Sequence, residues 1–139
     1  MTRLARLILQ AIAALPLPLL HALGSLLGRV LYYASPRVRA RLRDNIDTSK
    51  IAGSYQLSQA LVKQSAAESG KGMLELAIAW CREPEYMVSL VKHCYGWEHV
   101  EAALAEGKGL IFVTPHLGSY DIAGRYLSAR LPFPLTAMY

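Results

Sequence analysis

The sequence predicts an α/β chain. Membrane-associated helices at the N-terminus precede the first βαβ part of a mixed or parallel sheet, which is incomplete at its C-terminal end. Three observations predict this. Leu7 to Gly28 contains no charged residue. Gly109-Leu110-Ile111-Phe112-Val113-Thr114 is a nearly continuous apolar run of strand length, the pattern of a strand buried on both faces. A helical stretch from about Ser119 to Arg130 then leads to Leu135-Thr136-Ala137-Met138-Tyr139, which reads as another strand. Strand, helix and strand in that order form a βαβ unit with a right-handed crossover. With 139 residues the chain suffices for one small domain. Residues 1–33 read as a membrane-anchoring helical segment, set apart from residues 34–139.

The composition narrows the classes. It is 53% hydrophobic and 18% charged, against about 25% charged in a typical soluble domain, which excludes intrinsic disorder. Cys81 and Cys94 are too few for a disulfide scaffold or an all-cysteine zinc site. The net charge of +5 is uneven. Residues 1–45 hold seven arginines and one acid, Asp44, for +6; the remainder hold eight Lys/Arg and nine acids, for −1. The basic character is local to the N-terminal part, which points to a membrane surface or a polyanion at that end only.

The 22 uncharged positions would make a helix about 33 Å long, close to the hydrocarbon thickness of a bilayer. Arg3 and Arg6 precede the run, and Arg29, Tyr32 and Tyr33 follow it, as a membrane interface selects. Gln10 and His21 interrupt it, and Pro16 and Pro18 kink or split it. A single span or a hairpin-like membrane-embedded helix is expected. The alternatives are an interfacial amphipathic helix, a cleaved signal peptide, which the following arginines oppose, and a buried core helix. The arginine excess places everything after residue 29 on the cytoplasmic side.

Ser35-Pro36 reads as an N-cap followed by a first-turn proline. The helix they open carries Arg37, Arg39, Arg41 and Arg43, with residues 37 and 41 on one face and 39 and 43 on another. These arginines suit anionic lipid head groups; the alternative is a solvated basic face. No aromatic platform or recognised motif supports nucleic-acid binding. A long helix is expected over Tyr55–Arg82, capped by Ser54, weakened by Gly70 and Gly72, and ended by Pro84. Ser89–Tyr95 reads as a short strand, with His93 and Cys94 on opposite faces and therefore no shared metal. Trp97–Glu106 reads as a helix ended by Gly107, with His99 on its surface.

The chemistry centres on Pro115-His116-Leu117-Gly118-Ser119-Tyr120-Asp121. His116 follows a strand-like run, where ligands bind in parallel sheets. Asp121 lies five residues on, at the start of a helix, and Gly118 lets the backbone fold back between them. A carboxylate on one ring nitrogen fixes the tautomer and makes the other a better base. The helix N-terminus offers N–H donors to a phosphate or an oxyanion. No nucleophilic serine elbow or activated cysteine is apparent, so acyl transfer would be direct. A structural histidine capping a turn is the alternative reading of this spacing alone.

This segment resembles the His-x4-Asp/Glu signature of the glycerolipid and lipid A acyltransferase superfamily. Tyr95-Gly96-Trp97-Glu98-His99-Val100, Gly107–His116 and Leu131–Tyr139 are similar to the lipid A biosynthesis lauroyl/myristoyl acyltransferases of Gram-negative bacteria. The resemblance implies an inner-membrane enzyme facing the cytoplasm, which moves a fatty acyl group from acyl carrier protein to a hydroxyl of a lipid A precursor. It implies that residues 34–139 are the N-terminal part of an acyltransferase catalytic domain, with His116 as general base and Asp121 as its partner. Gly118, Ser119 and Tyr120 are then expected to bind substrate, and no metal or organic cofactor is required. Many members have Asn-Trp-Glu where this chain has Ser119-Tyr120-Asp121; the aspartate keeps the carboxylate on a shorter arm.

Members of the family are longer than this chain, which stops at Tyr139 inside a strand-like run. The chain is therefore expected to be the N-terminal part of a larger protein, or a truncated product, that holds the dyad without the whole site and is inactive alone. Two rival readings are a lysophosphatidic acid-type acyltransferase and a non-enzymatic membrane-associated fragment.

Overall fold

The computed structural model describes residues 2–115 and 117–138. By internal contacts the chain divides into two compact units, Met1–Cys81 and Arg82–Tyr139.

Among the described residues the first unit contains four helices. Helix α1 is Arg3–Ala13, capped by Thr2, whose hydroxyl accepts from the Ala5 N–H at 3.3 Å. Helix α2 is Leu17–Ala34, with proline in its first turn, where a missing N–H costs nothing. The prolines at 16 and 18 thus split the uncharged run, and α1 and α2 are bent by 117° across the break. No single helix among the described residues is long and apolar enough to cross a membrane, although this bent pair passes the same test together. Helix α3 is Pro36–Ser49, with Ser35 at its N-cap accepting from the Val38 N–H. Helix α4 is Tyr55–Cys81, with the Ser54 hydroxyl accepting from the Leu57 N–H at 3.2 Å. Both serine caps and the long helix agree with the sequence reading.

Helix α4 is the axis on which α1, α2 and α3 pack. Its seam with α2 is made of small residues: Gly24 and Gly28 on α2, Ala66 and Gly70 on α4. Residues four apart share a helix face, so each pair forms one flat strip that lets the backbones approach closely. A Cβ added at Gly28 would fall on the Ala66 carbonyl oxygen, and one at Gly24 would lie 2.7 Å from the Lys71 Cα. Gly70 therefore does not weaken α4; it is where α4 meets α2. Gly72 faces open space. Beside the seam Tyr32, Val62 and Ala66 form a buried cluster covered by Leu42 and Ile46 of α3.

The opposite face of α2 is apolar and uncovered. Leu19, Leu23, Leu26, Val30 and Tyr33 recur every three or four residues and are all exposed, as are Leu4, Leu7 and Ile8 of α1.

The second unit holds α5 (Pro84–Leu90), α6 (Trp97–Ala105) and α7 (Tyr120–Arg130). Helices α5 and α7 pack together, with Met87, Tyr126 and Leu131 buried. Arg130 lies 3.8 Å over the Trp97 ring and donates to the Tyr126 hydroxyl at 2.6 Å, while Arg125 donates to the Arg82 carbonyl at 2.9 Å.

The expected βαβ unit is absent: the described residues contain no strand. Pro84 opens α5 as well as ending α4, so Ser89 and Leu90 are helical and 91–95 is irregular. Residues 109–115 and 134–138 also lack regular structure. The physical reason lies in pairing. A helix satisfies its backbone within itself, whereas an extended segment becomes a strand only when a neighbour takes its N–H and C=O groups. No described segment pairs with 109–114, and Ile111 and Val113 are 90% and 93% exposed instead of buried on both faces. Helix α7 forms where expected, but as a helix beside α5 and not as the crossover between two strands.

Candidate functional site

The candidate base, His116, lies outside the described residues. Its surroundings show what the local sequence builds. Gly118 has φ 63°, in the left-handed region that glycine enters without steric cost. There the chain bends, and the Tyr120 N–H donates to the Gly118 carbonyl at 3.1 Å. Ser119 takes the N-cap position of α7 without a side-chain cap bond, and its carbonyl accepts from the Ala123 N–H at 3.0 Å.

Asp121 stands in the first turn of α7 and is exposed. A carboxylate there is favoured by the positive end of the helix dipole. Ser119 and Tyr120 are half-buried and Gly118 is exposed. Gly118, Ser119, Tyr120 and Asp121 thus lie together at the turn into α7.

The four arginines of α3 sit as the helix period requires. Val38, Leu42 and Ile46 are partly covered, with Leu42 and Ile46 against the core; Arg37, Arg41 and Arg43 are exposed and Arg39 is half-buried. None of the four has a carboxylate within ion-pair distance among the described residues. His93 and Cys94 are exposed, and the His93 ring stacks on Tyr95 with centroids 6.2 Å apart. His99 is also on the surface, as its position on α6 suggests.

One polar pair escaped the sequence reading. His21 Nε2 lies 2.7 Å from Glu75 Oε1, their side chains 34% and 15% exposed, across the α2–α4 seam. In the sequence His21 reads only as an imperfection of the apolar run. The available signal was that His21 on α2 and Glu75 on α4 each sit among apolar neighbours, and partly buried polar groups of a close-packed helix pair need partners.

The chain is 23% identical over 125 residues to the lipid A biosynthesis lauroyltransferase of Escherichia coli (strain K12); the match covers 90% of this chain and 40% of that protein. The chain thus spans about two fifths of the length of that relative. No solved structure matches it. Residues 2–139 match the family model described as bacterial lipid A biosynthesis acyltransferase, and the chain belongs to that family.

Proposed function

We propose that the protein carrying this chain transfers a fatty acyl group from an acyl carrier protein thioester to a hydroxyl of a lipid A precursor, on the cytoplasmic side of the bacterial inner membrane. The observation that supports this reading is the family match across residues 2–139, which takes in the His116-x4-Asp121 segment. In this mechanism a ring nitrogen of His116 takes the proton of the acceptor hydroxyl. The oxygen attacks the thioester carbonyl carbon, the carbon–sulfur bond breaks, and the imidazolium returns the proton to the departing thiolate. Asp121 is the positioning residue: its carboxylate orients the ring and stabilises the imidazolium. Gly118, Ser119 and Tyr120 contact the substrate, and the N–H groups at the start of α7 face the developing oxyanion.

The exposed apolar faces of α1 and α2 and the arginines of α3, which have no ion-pair partner among the described residues, suit a protein that works on lipid at a membrane surface. Arg37, Arg39, Arg41 and Arg43 would then face anionic head groups.

The test is an acyltransferase assay of the protein carrying this chain, with acyl carrier protein thioester and a lipid A precursor. His116→Ala is expected to lower the rate by about 10²–10⁴-fold, and Asp121→Asn by less, with circular dichroism unchanged. Undiminished activity in His116→Ala overturns the mechanism. Preferential acylation of a lysophosphatidic acid overturns the acceptor assignment.

A further inference from the structure

Where α2 ends its apolar face, two cations share a hollow. Arg29 of α2 and Lys63 of α4 line it with Tyr32, Tyr33 and Ala66, and its volume is about 90 Å³. Neither cation makes an ion pair or hydrogen bond with a described residue, although the nearby Lys71 is paired with Glu68 at 2.8 Å. The volume is well below the roughly 300 Å³ at which pockets for organic molecules begin, and it suits an oxyanion. A guanidinium fork and an ammonium are the donors that hold phosphate oxygens.

The position of the hollow indicates where the phosphate comes from. Tyr33 lines the hollow and is also the last member of the exposed stripe Leu19, Leu23, Leu26, Val30, Tyr33. Arg29 is one helical turn from both Leu26 and Tyr33, so it borders the same stripe. An uncovered apolar track about 21 Å long therefore ends at a pair of unpartnered cations. That is the chemistry of a lipid, with hydrocarbon along the track and an anionic head group at its end.

We propose that the Arg29–Lys63 hollow binds the phosphate of an anionic membrane lipid whose acyl chains lie along the Leu19–Tyr33 stripe. The site is a structural lipid site on the first unit, and it is independent of the acyl-transfer reading and of His116.

The experiment is native mass spectrometry of the protein in a nonionic detergent, incubated with phosphatidylglycerol or with phosphatidylcholine. The expected result is a one-to-one complex with at least about tenfold preference for phosphatidylglycerol, from two cations each worth roughly fivefold near an anionic lipid. Arg29→Gln with Lys63→Gln should abolish the preference. Lys50→Gln with Lys92→Gln, the same change of charge at exposed residues outside α2, α3 and α4, should leave it in place. Equal loss in both pairs would show a diffuse positive field and overturn the site, as would a preference that survives Arg29→Gln with Lys63→Gln. Displacement of the lipid by millimolar inorganic phosphate at constant ionic strength would show a site for the free anion and overturn the lipid assignment. Both side chains are exposed, so the substitutions should be tolerated. If the double variant does not fold, Lys63→Gln alone should cost about fivefold, and an unchanged preference in it overturns the proposal.

Discussion

In Met1–Cys81 the contacts that decide the structure involve very little side chain: Gly24, Gly28, Ala66 and Gly70 bring two helical backbones together, with Tyr32 and Val62 filling the space beside them. In Arg82–Tyr139 large side chains make the contacts, as Arg130 bridges Trp97 and Tyr126, yet the most apolar run of that unit, 109–114, is irregular, with Ile111 and Val113 exposed. The difference follows from where each backbone finds its hydrogen bonds. A helix closes its own and needs only a surface to lean on, whereas an extended run needs a second chain segment alongside. The first unit can therefore be tested by filling its seam, and the second by asking what its exposed run tolerates.

The largest effect is expected at the seam. Gly28→Val places a branched side chain on the Ala66 carbonyl, which is backbone and cannot rotate away. Stability to urea should fall by about 3 kcal/mol or more. A loss below about 1 kcal/mol would mean that α2 and α4 do not approach this closely in solution. Next is Glu75→Ala, which leaves His21 without its 2.7 Å partner. Because His21 is a third exposed and water can replace part of the bond, the expected cost is about 1 kcal/mol, with Glu75→Gln closer to wild type.

A smaller effect of opposite sign is expected within α4. Gly72 has nothing within 4 Å of an added Cβ, so Gly72→Ala should raise stability by roughly 0.5–1 kcal/mol through helix propensity alone. Glycines two residues apart on one helix would then respond in opposite directions, since Gly70→Ala meets the Gly24 carbonyl and should destabilise. The smallest effect belongs to the second unit. Val113→Thr changes an exposed side chain and should alter stability by no more than about 0.5 kcal/mol. A cost above about 2 kcal/mol in the protein carrying this chain would show that Val113 is buried there, and the contrast between the two units would narrow.

Much of the chain was legible because its signals are local. Ser35 and Ser54 cap helices because a hydroxyl reaches the N–H three residues on, whatever lies elsewhere. Pro16, Pro18 and Pro84 break or open helices because each lacks a donor, and Gly107 follows α6 with φ 68°. The turn at Gly118 and the carboxylate of Asp121 at the head of α7 follow from the same short-range rules. The local backbone of the turn into α7 could thus be read from a few consecutive residues.

Only the tertiary structure decided what depends on residues far apart in the chain. An apolar run at 109–114 has the composition of a strand, but whether it becomes one depends on a partner, which no described segment supplies. His21 and Glu75 meet across 54 positions, and Arg29 and Lys63 share a hollow because Gly28 and Ala66 bring their helices together. Caps, breaks and turns are fixed by interactions within a few residues. Pairing, close approach and shared cavities are set by which surfaces meet, and a one-dimensional pattern carries that information only once the helices are packed.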